Sequence, residues 1–138
     1  MKPLRVGVIV CGNISDLYFE SGKRFNSFDI TACADIAKRA AREKAKKHGI
    51  NKVMTPEALL ESDEVDIVLN ITVPKAHAAI ARAAVAAGKH VYNEKPLTLT
   101  REEGKALLDE AKAKQVRVGC APDTVLGAGI QTARRLID

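Results

Sequence analysis

Leu4-Arg5-Val6-Gly7-Val8-Ile9-Val10-Cys11-Gly12-Asn13-Ile14-Ser15 joins an apolar, β-branched run to a helix-like segment through a single glycine. An uninterrupted apolar strand of this kind is buried on both faces, as in a parallel sheet. Against the pattern G-x-G-x-x-G, Val10, Gly12 and Ser15 hold the three marked positions. Gly12 stands where a missing Cβ lets the backbone approach a pyrophosphate. Ser15 is small enough for close packing of the helix on the sheet, whereas Val10 departs from the glycine that normally makes the tight turn. The helix opening at Asn13 offers unpaired N–H groups and a positive dipole end to phosphate. Cys11, Gly12, Asn13 and Ile14 are therefore candidate cofactor contacts.

Strand and helix signals alternate outward from this turn. Strands are predicted over residues 4–10, 29–34, 66–72, 89–93 and 116–120, with a short extended piece at 52–54. Helices are predicted over 13–25, over 36–48 before Gly49, from Pro56 with Thr55 as cap, and over 75–87 before Gly88. Thr100-Arg101-Glu102-Glu103 is a capping box that opens a helix to Lys114, and a last helix starts near Val125. Six strands alternating with helices and joined by right-handed crossovers predict an α/β doubly wound parallel sheet, a Rossmann fold of strand order 3-2-1-4-5-6.

In such a sheet ligands bind where the strands end. Asp35 closes the second strand, 20 positions after Ser15, where a carboxylate accepts both hydroxyls of an adenosine ribose and repels a 2′-phosphate. That favours NAD. Lys38 and Arg39, one turn further on, keep NADP possible. Thr72-Val73-Pro74 falls at the tip of the fourth strand beside Gly12, with His77, in the first turn of the helix that follows, as a further candidate contact to the same crevice. Asn93-Glu94-Lys95-Pro96 ends the fifth strand, where proline locks the backbone behind the lysine and makes a cis Lys95–Pro96 bond more frequent. Pro122 follows the sixth strand on the same edge.

Composition narrows the function classes. With 138 residues, 46% hydrophobic and 28% charged, the chain is long enough for one cored domain. Cys11, Cys33 and Cys120 lie in apolar runs without metal-ligand spacing, so no metal is expected and the cysteines read as reduced, in a cytoplasmic protein. The longest N-terminal apolar run is too short to cross a membrane. The net charge of +5 resides largely on helix-like stretches such as 38–47, and aromatics are only 4%, so no nucleic-acid partner is expected.

These motifs resemble the N-terminal NAD(P)-binding Rossmann domain of the Gfo/Idh/MocA oxidoreductase family. The likeness runs from Val6–Ser15 through Asp35, Thr72-Val73-Pro74 and His77 to Ala87-Gly88-Lys89-His90-Val91 and Glu94-Lys95-Pro96, the most specific motif. Gly119 to Thr124, with Gly127-Ala128-Gly129, is similar to one branch of the family. The resemblance implies hydride transfer between nicotinamide and a sugar, polyol or related hydroxyl substrate, with Lys95 as catalytic residue touching both nicotinamide and the substrate hydroxyl. It also implies a second α/β domain, bearing a catalytic histidine and a homo-oligomer interface, that is missing here. Residues 1–124 are then the dinucleotide-binding domain and 125–138 the start of a helix leading onward, and the chain by itself is expected to be inactive. Alternatives are a non-catalytic NAD(P) sensor and an S-adenosylmethionine-dependent methyltransferase.

Overall fold

Because apolar side chains occupy successive strand positions, each strand must bury both of its faces, and the computed structural model shows how. It describes residues 2–121 and 123–138. The strands β1 (Leu4–Ile9), β2 (Phe28–Ala34), β3 (Lys52–Met54), β4 (Ile67–Asn70), β5 (His90–Asn93) and β6 (Val118–Cys120) form one parallel sheet. Its order is β3-β2-β1-β4-β5-β6, as predicted. The helices are α1 (Ser15–Gly22), α2 (Lys38–His48), α3 (Pro56–Glu61), α4 (Pro74–Ala86), α5 (Arg101–Ala113) and α6 (Ala128–Ile137).

Adjacent strand residues feed opposite cores. Val8, Cys33 and Leu69 pack with Phe19, Ala41 and Ala45 under α1 and α2. Ile9, Ala34 and Val68 pack with Leu59, Ala81, Val85 and Leu107 under α3, α4 and α5. Phe19 is 1% exposed and stacks on His48 at 5.0 Å between centroids. Asp16 on α1 pairs with Lys44 and Lys47 on α2, and these cations hold its carboxyl well below the usual range. At the start of β1, the Arg5 guanidinium and main-chain N–H donate to Asp66, whose carboxyl falls to about 2.

Several ends are as local chemistry predicts. Thr55 Oγ1 accepts from Ala58 N, the Thr100–Glu103 capping box is complete, and Gly49 and Gly88 end their helices with φ of 74° and 75°. Others differ. Helix α1 begins at Ser15 rather than Asn13, because Gly12 to Ile14 are spent on the turn, where Ser15 Oγ donates to Gly12 O at 2.6 Å. It stops at Gly22, pressed so closely on β2 that a Cβ there would lie 2.8 Å from Ile30. Strand β4 is shorter than predicted: Asp66 is tied to Arg5, and Thr72 folds back onto the Asn70 side chain. The last helix starts at Ala128, after a 3-10 turn at Asp123–Leu126, and buries none of its residues.

Candidate cofactor-binding site

The turn between β1 and α1 is built on a strained residue. Val10 has φ of 82°, the left-handed region that a β-branched side chain rarely adopts. Its N–H donates to Ala34 O at 2.8 Å, and the next amide, Cys11 N, donates to Asp35 Oδ2 at 2.8 Å. Asp35 Oδ1 accepts from Ala37 N at 2.8 Å. The carboxylate is 8% exposed and fastens the β1 turn to the entry of α2. Each oxygen retains a second lone pair, so hydroxyl donors can still bind.

Gly12 has a different justification from a turn glycine. Its φ is not left-handed, and an added Cβ would meet only Val10 Cγ1, at 3.7 Å. Neither conformation nor protein packing requires glycine, which leaves open space on the outer side of the turn. The main-chain N–H groups of Gly12, Asn13 and Ile14 have no partner among the described residues, and no side chain caps α1. Three free amides over an open surface at a helix N-terminus suit a pyrophosphate.

Ile71 N donates to Ile9 O at 3.2 Å, which sets the β4 tip, Thr72-Val73-Pro74, beside this turn. Val73 is 57% exposed and Thr72 half-buried. One strand further, Glu94 N donates to Asn70 O and Lys95 N donates to Glu94 Oε2. The Lys95–Pro96 bond is cis. Lys95 is exposed, and its ammonium has no partner among the described residues, although the main chain beneath it is fixed.

Sequence reasoning missed Tyr18. Its hydroxyl donates to Glu94 Oε1 at 2.5 Å, linking α1 to the β5 tip across the crevice. The available signal was its spacing: three residues after Ser15, it lies on the same helix face. His77 needs a correction. It does not line the crevice but lies 0% exposed beneath it, with its two ring nitrogens against main-chain carbonyls. Arg39 is exposed on α2 and paired with Glu43 at 2.8 Å. Pro122 lies outside the described residues.

Relief of the Val10 strain gives a direct test of the turn. Val10→Gly removes a cost on the order of 1–3 kcal/mol, against roughly 0.5–1 kcal/mol of added chain entropy and some lost packing. Urea unfolding should show unchanged or higher stability, with NADH affinity equal or better. A clear loss of both would mean that the valine side chain itself holds the loop.

A parallel sheet ordered 3-2-1-4-5-6, with a glycine turn at its switch point and an acid at the neighbouring tip, defines the chain as a Rossmann domain of the dinucleotide-binding class. The chain belongs to the Gfo/Idh/MocA oxidoreductase family: residues 4–121 match the family's NAD-binding Rossmann fold. It is 32% identical over 114 residues to myo-inositol 2-dehydrogenase of Thermotoga maritima, covering 82% of this chain and 34% of that protein. Biliverdin reductase from Synechocystis sp. PCC 6803, solved with biliverdin and NADP+, matches with 30% identity and a TM-score of 0.89 over 98% of this chain and 43% of that one. A 3-ketoreductase from Actinomadura kijaniata, solved with TDP-benzene and NADP, matches with 29% identity and a TM-score of 0.90, covering 99% and 43%. The chain spans about a third of the length of the curated relatives it matches. Family membership removes the ground for the methyltransferase alternative. No helix among the described residues is long and apolar enough to cross a membrane.

Proposed function

We propose that this chain is the cofactor-binding part of an NAD(P)-dependent oxidoreductase that acts on a sugar, polyol or related hydroxyl compound. The observation that carries this reading is the open, amide-lined turn at Gly12 with the Asp35 carboxylate beside it. The amides of Gly12, Asn13 and Ile14 would hold the pyrophosphate, with Cys11 shaping the same turn, and Asp35 the adenosine ribose. Thr72, Val73 and Pro74 would pack against the nicotinamide end, and Glu94 and Lys95 would face its ribose and the substrate. When bound, the nicotinamide supplies the hydride chemistry. Lys95 orients the reacting hydroxyl and exchanges its proton. Relatives roughly three times as long support a second unit that completes the substrate cleft and assembles the oligomer. Cytoplasmic location belongs to the same reading.

NAD is the preferred cofactor, because a 2′-phosphate would face the Asp35 carboxylate. Structural relatives solved with NADP keep the alternative in view, with Lys38 and Arg39 as the residues able to serve it. Calorimetric titration with NADH and NADPH should show NADH binding at least about tenfold tighter, since like-charge juxtaposition is costly. A preference for NADPH would give the pocket to Lys38 and Arg39, and binding of neither would overturn the proposal.

A further inference from the structure

The strand tips that carry Thr72 and Lys95 rest on a buried polar cluster that cofactor binding does not explain. Asn70, His77 and Asn93 are each 0% exposed. Asn70 Nδ2 donates to Asn93 Oδ1 at 2.9 Å and to His77 O at 3.1 Å, while Asn70 Oδ1 accepts from Thr72 Oγ1 at 2.7 Å and from Thr72 N at 3.3 Å. Asn93 Nδ2 donates to Leu97 O at 2.9 Å. His77 Nδ1 lies 2.6 Å from Pro96 O, and Nε2 lies 3.0 Å from Thr72 O. Both carbonyls only accept, and a neutral imidazole carries one N–H, so the ring donates to one of them and packs against the other. One imidazole thereby touches both tips, immediately after the cis Lys95–Pro96 bond on one side and at Thr72 on the other.

Burying three polar side chains is costly unless every group is paired, and a fully paired cluster specifies one arrangement of what it holds. An apolar filling would be cheaper if the only need were a stable core. The cluster reaches main-chain oxygens of Pro96 and Leu97, just after Lys95, where β5 has ended and no ladder fixes them, and of Thr72 at the β4 tip.

We infer that His77 is a positioning residue, which locks the β4 and β5 tips together so that Lys95 and Thr72 meet the nicotinamide end of the cofactor. This rests on the cofactor reading above, and the test separates the two. ADP-ribose carries the adenosine, pyrophosphate and second ribose of NADH but lacks nicotinamide. Wild-type chain should bind NADH more tightly than ADP-ribose. His77→Leu keeps most of the volume and loses both ring contacts; it should cut the NADH-to-ADP-ribose affinity ratio about fivefold, the effect of roughly one buried hydrogen bond, with ADP-ribose affinity unchanged. His77→Asn places an amide near the Nδ1 position, can still serve Pro96 O, and should keep the ratio within about twofold.

Parallel weakening of both ligands in His77→Leu, an unchanged ratio, or equal wild-type affinities would overturn the inference and leave the cofactor reading standing. Wild-type binding of neither ligand would overturn both. Should His77→Leu not fold, the wild-type chain still decides. Its His77 ring N–H proton should exchange with solvent far more slowly than that of the half-buried His90, and fast exchange would overturn the clamp.

Discussion

Gly12→Val should abolish detectable NADH binding, a loss of at least about 100-fold, while the chain remains folded. The two halves of this expectation have separate physical origins. In the protein alone, a Cβ at residue 12 meets only Val10 Cγ1 at 3.7 Å, and the backbone there is not left-handed. Substitutions at such exposed positions usually change stability by no more than about 0.5 kcal/mol. Valine methyl groups would nevertheless occupy the space over the free amides of Gly12, Asn13 and Ile14, where a pyrophosphate must come close enough to accept their hydrogen bonds. Calorimetry with NADH and urea unfolding of the same variant check both halves. Native affinity would remove the turn from the binding site. A large loss of stability would make Gly12 a structural glycine instead.

Sequence carried the architecture because the architecture depends on local, repeated signals. Both-face burial is written in strands such as Val68-Leu69, whose neighbouring residues enter opposite cores. Helix limits followed wherever one residue decides them, as Thr55, Thr100 with Glu103, Gly49 and Gly88 do. The site was legible as a set of tips and hidden as a set of bonds. Val10 was visible as a departure, but that its left-handed backbone presents Cys11 N–H to Asp35 depends on a contact 24 residues away. Tyr18 and Glu94 are 76 residues apart, and no periodicity links them. His77 looked like a crevice residue because it follows the β4 tip closely in sequence. Helical geometry instead turns it inward, beneath Pro96, a residue 19 positions on. Spacing reveals which residues share a tip, whereas burial of a polar side chain depends on partners supplied by other elements.

On the proposed function, Lys95→Ala should lower hydride transfer by about 10²- to 10⁴-fold, the usual contribution of a positioned proton-transfer group, wherever this chain works with a substrate-binding unit. NADH affinity should stay within a few-fold of wild type, because the pyrophosphate amides and Asp35 lie two and three strands away from β5. Lysine is suited to the role by its setting. Glu94 N–H donates to Asn70 O and Lys95 N–H to Glu94 Oε2, yet the ammonium is unpaired among the described residues and exposed. Lys95→Arg separates charge from proton exchange: guanidinium keeps the positive charge but does not deprotonate in proteins. If Lys95 exchanges the hydroxyl proton, arginine should fail to restore turnover over the whole accessible pH range. Restoration by arginine would reduce Lys95 to an electrostatic anchor. Full activity of Lys95→Ala would move the chemistry away from this tip altogether. A non-catalytic sensor makes a fourth pattern, in which wild-type protein binds NADH and transfers no hydride to any sugar or polyol offered. Turnover assays that follow NADH absorbance, run beside NADH titrations on the same preparations, distinguish all four, because only the catalytic role divides rate from affinity.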